Sequence, residues 1–168
     1  MPIQLQCPAC QRILKHRKVD GVTLDVCQGG CGGIWFDNRE LQKFDNANED
    51  GGRALLDVAV DAGLRIDHRR KRACPRCEDV KMKRRFYSPK RRVELDECGG
   101  CGGIWLDLGE LESVRAEFAS DAEQQTAIRD FVQEAGRLHL KKIRTESPQG
   151  RKQARRFSNL FGFLGVHR

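Results

Sequence analysis

No cysteine of this chain stands alone. All eight fall into two tight sets, Cys7, Cys10, Cys27 and Cys31, then Cys74, Cys77, Cys98 and Cys101. Met1-Pro2-Ile3-Gln4-Leu5-Gln6 is no basic and apolar leader, and no run reaches the roughly 18 apolar residues that span a bilayer. These absences predict a cytoplasmic protein with no transmembrane segment. There thiols stay reduced, so close Cys pairs read as metal ligands rather than disulfides. Two further lacks exclude chemistry. The glycines come without the lysine and hydroxyl of a P-loop or the strand and helix of a dinucleotide fold. No nucleophile with a neighbouring base can be identified either, so the expectation is a protein that is not an enzyme and has no small-molecule substrate. The four histidines, His16, His68, His139 and His167, lie away from the cysteine sets and are not needed as ligands.

What is present is charge and metal chemistry. A third of the 168 residues are charged and the net charge is +7, which suggests a polyanionic partner. Four thiolates around Zn²⁺ leave each site near −2, so part of that positive charge offsets the metal centres. Units of about 40 residues rarely bury enough apolar surface to fold unaided, and a metal is one of the usual staples.

The chain repeats itself. Cys7-Pro8-Ala9-Cys10 falls on Cys74-Pro75-Arg76-Cys77 at an offset of 67, and Cys31-Gly32-Gly33-Ile34-Trp35-Phe36-Asp37 falls on Cys101-Gly102-Gly103-Ile104-Trp105-Leu106-Asp107 at an offset of 70. The Cys pairs are separated by 16 residues in the first copy and 20 in the second, room for a β-hairpin between two metal-binding turns. Val22, Leu24 and Val26 alternate with polar residues after an Asp20-Gly21 turn, and Val93 and Leu95 alternate after a turn around Ser88-Pro89. Gly32, Gly33, Gly102 and Gly103 allow the positive φ with which backbone amides turn toward the sulfurs. Trp35 and Trp105 read as caps of a small core. Asp37 with Glu40, and Asp107 with Glu110, resemble acid–base pairs, but the three-residue spacing before an apolar run is that of a reciprocally capped helix start. A helix is therefore expected after each ribbon, carrying Leu41 and Phe44 in the first and Leu111, Val114 and Phe118 in the second.

Residues 74 to 112, Cys-Pro-x-Cys, a hairpin and Cys-x-x-Cys-Gly-Gly-Ile-Trp-Leu-Asp-x-Gly-Glu-Leu, resemble the bacterial zinc-ribbon family related to the ribbon of transcription factor IIB. The first copy matches as well, with three residues rather than two between Cys27 and Cys31. The resemblance implies a zinc ribbon with nucleic-acid or transcription-complex binding and assigns no reaction.

Between and after the ribbons the composition shifts. Leu55, Leu56, Ala59 and Val60 predict a linker helix over 50–64. Residues 65–92 hold thirteen Lys or Arg against Asp67, Glu78 and Asp79. Arg69, Arg70, Lys71, Arg72, Lys83, Arg84, Arg85, Lys90, Arg91 and Arg92, with Phe86 and Tyr87 among them, form the combination that neutralises phosphates and stacks bases. Lys15, His16, Arg17 and Lys18 are a weaker version on the first hairpin. Residues 119–145 read as the longest helix, capped at Ser120 or Asp121, with Ile128, Phe131, Val132, Ala135 and Leu138 on one stripe. Beyond it lies a basic end with Phe157, Leu160, Phe161 and Leu164 at helical spacing.

The expected architecture is a small, metal-stabilised α+β fold. It comprises zinc ribbon one (1–49), a linker helix and basic segment (50–73), zinc ribbon two (74–118), and a C-terminal helix and tail (119–168). One structural Zn²⁺ sits in each four-cysteine site. The leading functional expectation is binding of nucleic acid, or a nucleoprotein complex of transcription or translation, through the basic second ribbon and C-terminal region. A protein–protein adaptor using the C-terminal helix and tail is the alternative. Iron in the same sites, serving electron transfer, is a third.

Overall fold

A computed structural model describes residues 4–45 and 50–146. They fall into two units, one ending at Gln124 and one beginning at Gln125. The ribbons share the first. Each contributes three antiparallel strands, β1 (Lys15–Val19), β2 (Val22–Val26) and β3 (Ile34–Phe36), then β4 (Lys83–Phe86), β5 (Glu94–Glu97) and β6 (Ile104–Leu106). Asp20 and Gly21 both take positive φ, 48° and 80°, giving the two-residue turn that suits a tight hairpin.

The two ribbons are not beads on a string. Their strands form one six-stranded sheet in the order β1-β2-β3-β6-β5-β4, joined by antiparallel pairing of β3 with β6. Ile34 faces Leu106, Trp35 faces Trp105 and Phe36 faces Ile104. Because Trp35 and Trp105 are equivalent in the repeat, this register places a pseudo-twofold axis at the tryptophan pair.

Strand alternation then sorts the two faces. Ile34, Phe36 and Leu106 point into an apolar core with Leu24, Val26, Leu41, Phe44, Leu95 and Leu111. Trp35 and Trp105 point the other way, into a second cluster with Cys7, Cys27, Cys74 and Cys98. Each tryptophan is fully buried.

Two local expectations need correction. The first ribbon ends in a single 3-10 turn, Leu41–Lys43, not an α-helix. The Phe44 carbonyl is taken by Arg115 of the second ribbon at 2.7 Å instead of by a following helical turn. The linker helix is only α1, Asp50–Ala54, with glycines at two of its five positions. The chain past it is extended because it pairs with the first metal loop: Gly29 N–H donates to the Ala59 carbonyl (2.7 Å) and Asp61 N–H to the Gly30 carbonyl (2.9 Å). The second ribbon does end in a helix, α2, Glu110–Ala116, which buries Leu111 and Val114.

The C-terminal helix, α3, runs Asp121–Glu146. Ser120 Oγ accepts the Glu123 amide (3.2 Å) and Glu123 Oε2 accepts the Ala119 amide (2.8 Å), a reciprocal N-terminal cap. Among the described residues no helix is long and apolar enough to cross a membrane. The apolar end, Phe157 to Leu164, lies outside the described residues.

Candidate metal centres and basic surface

Each metal centre is built from two turns. The Cys-Pro-x-Cys turn curls its amides onto its first sulfur: Ala9 and Cys10 N–H point at Cys7 Sγ (both 3.4 Å), and Arg76 and Cys77 N–H at Cys74 Sγ (3.4 and 3.3 Å). The second pair arrives at the end of β2 or β5. In the second ribbon Gly100 N–H points at Cys98 Sγ (3.4 Å). The extra residue between Cys27 and Cys31 is absorbed by Gly29, at φ 73°.

Within each set all four sulfurs lie within 4.8 Å of one another. Cys7 and Cys31 are 3.4 Å apart, Cys10 and Cys27 3.4 Å, and Cys74 and Cys101 3.7 Å. A disulfide requires about 2.05 Å, and all eight thiols are free. Four Zn–S bonds of about 2.3 Å in tetrahedral array put sulfurs about 3.8 Å apart, so both donor sets fit zinc. The chain holds two zinc ions, one per set. A site closed by four sulfurs serves structure and leaves no position for activated water.

Electrostatics point the same way. Hydrogen bonding with Cys31 and Cys7 holds the Cys27 thiol far below the usual range, while bonds with Cys27 and Cys31, together with burial, push Cys7 far above it. Burial pushes Cys74 up to about 12; it opposes ionisation of Cys98 too, but the amides of Cys101 and Gly100 bring that thiol down to about 7. Four such groups ionise together only around a cation.

The glycine pair has two separate jobs. Gly32 and Gly102 take the expected positive φ, 78° and 71°. Gly33 and Gly103 do not; they provide space. A Cβ on Gly33 would stand 2.1 Å from the Trp105 ring, and one on Gly103 2.1 Å from the Trp35 ring.

The carboxylate pairs are half of the expected capping box. Glu40 Oε2 accepts the Asp37 amide (2.9 Å) and Glu110 Oε2 the Asp107 amide (2.7 Å). The aspartates themselves turn to tryptophan, Asp37 Oδ1 accepting Trp35 Nε1–H (3.0 Å) and Asp107 Oδ1 accepting Trp105 Nε1–H (2.7 Å). Behind them lie two buried acids not singled out from the sequence, Asp25 and Asp96, opposite the tryptophans in register. Their matching positions in Leu24-Asp25 and Leu95-Asp96 were the available signal. Burial pushes both carboxyls up.

The basic residues divide. Arg69, Arg70 and Lys71 are exposed, as are Lys83, Arg84, Arg85, Arg91 and Arg92. Phe86 is 45% exposed, with the Arg91 guanidinium 5.6 Å above its ring. Arg85 pairs with Glu97 (2.9 Å), and Arg84 lies 3.8 Å from Asp96 and donates to the His68 carbonyl. Three residues expected at a nucleic-acid surface are turned inward. Arg72 is 2% exposed, pairing with Asp107 (2.9 Å) and donating to the Asp67 carbonyl (3.0 Å). Tyr87 is half-buried, donating to Asp45 (2.7 Å) and accepting from Gln124 (2.9 Å). Lys90 pairs with Glu123 (2.6 Å), donates to the Glu117 carbonyl (2.9 Å) and sits over the Phe118 ring (4.3 Å).

No curated protein and no solved structure matches the chain. Residues 6–46 and 73–117, just over half of it, match the zinc-ribbon family described as "Transcription factor zinc-finger". The two matched segments coincide with the two four-cysteine sites. This chain belongs to the transcription factor IIB-type zinc-ribbon family and carries the ribbon twice.

Proposed function

We propose that the protein is a non-enzymatic zinc protein that binds nucleic acid, or a nucleoprotein complex of transcription or translation, through the second ribbon and the C-terminal region. The observation that carries this reading is the surface left after the internally committed cations are removed. Arg69, Arg70, Lys71, Lys83, Arg91 and Arg92 remain exposed beside the exposed ring of Phe86. Charges on an edge strand also discourage edge-to-edge pairing, and cations offset thiolate charge. Neither role calls for an exposed phenylalanine under an arginine, a pairing suited to base stacking. The family description adds weight on the transcription side. The test is titration of RNA and DNA at several salt concentrations. Affinity that falls steeply with salt supports the reading, and no binding at low salt refutes it.

The adaptor reading has its own support. Ile128, Phe131, Val132 and Leu138 of α3 are each between 47% and 55% exposed, an apolar stripe available to a protein partner. Replacing Phe131 and Val132 with serine, together with deletion of residues 155–168, separates the two readings, because an adaptor loses its partner while the hairpin's nucleic-acid affinity stays.

A further inference from the structure

The pseudo-twofold axis brings the two Cys-Pro-x-Cys turns side by side. Between them lies an open groove of about 610 Å³, with Cys7-Pro8 on one side and Cys74-Pro75 on the other. It is larger than the spaces of about 290 and 150 Å³ elsewhere on the surface, and among the described residues no acidic one lines it.

Its two walls are duplicate segments whose chemistry has diverged. Each is the arm leading into a metal turn, held by backbone bonds: Leu14 N–H donates to the Leu5 carbonyl (2.9 Å), and Met82 N–H to the Arg72 carbonyl (2.9 Å). The first arm brings Gln4 and Gln6, with Gln11 from the turn that follows. The second brings Arg70 and Lys71, with Lys81 from the returning chain. At the repeat offset of 67, Gln4 corresponds to Lys71. One wall is cationic and the other is a row of neutral amides.

The cationic wall is fixed in place. Arg72 is buried and bonded to Asp107 and the Asp67 carbonyl, so the arm is anchored immediately beside Arg70 and Lys71, which remain exposed. The inward arginine that leaves the nucleic-acid surface is the residue that positions its neighbours.

We propose that this groove binds a single strand of nucleic acid, its phosphates along Arg70, Lys71 and Lys81 and its base edges against Gln4, Gln6 and Gln11. Glutamine amides both donate and accept, as base edges require. A volume near 600 Å³ is in the range of small-ligand sites, about 300 to 1,000 Å³, and takes a few nucleotides rather than a duplex. Reading a duplex calls for a protruding helix or ribbon that enters its groove, and this site is concave. The inference rests on the nucleic-acid reading above and narrows it to one site and one kind of strand.

The test uses the full-length zinc-loaded chain and fluorescence anisotropy of short labelled single-stranded RNA, single-stranded DNA and duplex DNA. Three triple variants are compared with the wild type: Arg70→Gln/Lys71→Gln/Lys81→Gln, Gln4→Ala/Gln6→Ala/Gln11→Ala, and, on the hairpin, Lys83→Gln/Arg91→Gln/Arg92→Gln. All nine residues are exposed, and equal zinc content and melting temperature confirm an intact fold. The cationic-wall variant is expected to lower single-strand affinity at least tenfold and reduce the salt slope by about 2, at roughly 0.7 per lost phosphate contact. The glutamine variant is expected to weaken binding at an unchanged slope. Losses confined to the hairpin variant, equal losses from the hairpin and cationic-wall variants, or tighter binding of duplex than of single strand overturn the groove while leaving the broader reading standing. Absence of binding by the wild type to every probe overturns both.

Discussion

Trp35 and Trp105 face one another across the junction of β3 and β6, each ring lying against a glycine of the opposite ribbon, Trp105 on Gly33 and Trp35 on Gly103. The duplicated Gly-Gly-Ile-Trp segment is therefore both the exit from a metal site and the seam between the two halves. One glycine bends the chain and the next admits the partner's indole.

The seam predicts a specific sensitivity. Gly33→Ala or Gly103→Ala introduces a methyl group into a packed ring, and overpacking of this kind costs about 1–3 kcal/mol. Urea denaturation of zinc-loaded protein should show the loss for both variants. Gly99→Ala is the control, because a Cβ there meets nothing within 4 Å.

A second prediction concerns Arg72 and Asp107, 2.9 Å apart with the arginine 2% exposed. Arg72→Met leaves a largely buried carboxylate short of its partner and is expected to cost about 3–5 kcal/mol. Asp107→Asn in the same background should recover part of that loss. Simple additivity in the double-mutant cycle would contradict the pairing.

Glu110 makes stability depend on pH. Burial, aided by the Asp107 and Asp96 carboxylates and opposed by the Asp107 amide and by His68, raises its carboxyl from 4.5 to about 7. The folded state thus binds the proton more tightly than the unfolded chain, so this group's contribution falls as pH rises from about 4.5 to about 7 and is flat above. Glu110→Gln retains an acceptor for the Asp107 amide without the charge. Its stability relative to wild type should climb as pH rises from about 4.5 to about 7, reaching roughly 1–2 kcal/mol after allowance for solvent screening. A pH-independent difference would contradict the assignment.

The shared sheet couples the two metal sites. Cys77→Ser removes one ligand of the second centre, yet hydrogen exchange should accelerate at residues 34–36 as well as at 104–106, because those strands pair with each other. Unchanged protection of the first ribbon would mean that the halves fold independently.

The cysteine sets, the repeat and the hairpins were legible because they are local: ligand spacing, alternation and an Asp-Gly turn each fall within a short window. The joining of β3 to β6 was not, since nothing in Ile34-Trp35-Phe36 alone shows that its pairing partner is its own duplicate 70 residues on. The fate of the basic run was hidden for the same reason. Arg72 reads like its neighbours Arg70 and Lys71 until the fold delivers Asp107 to it. Tyr87 reads like Phe86 until Asp45 and Gln124 arrive. The short helices after the first ribbon followed from contacts made to Phe44 and Gly30 by distant segments.

Eight thiolates hold two zinc ions and thereby one sheet. Native mass spectrometry of the intact protein, before and after a strong chelator, reads both halves of that statement. The expected result is the chain mass plus two zinc ions, with loss of both ions accompanied by unfolding. A metal-free mass lowered by hydrogens lost to disulfides, a mass carrying iron with a visible absorption band, or a chain that stays folded once its zinc is gone would contradict it.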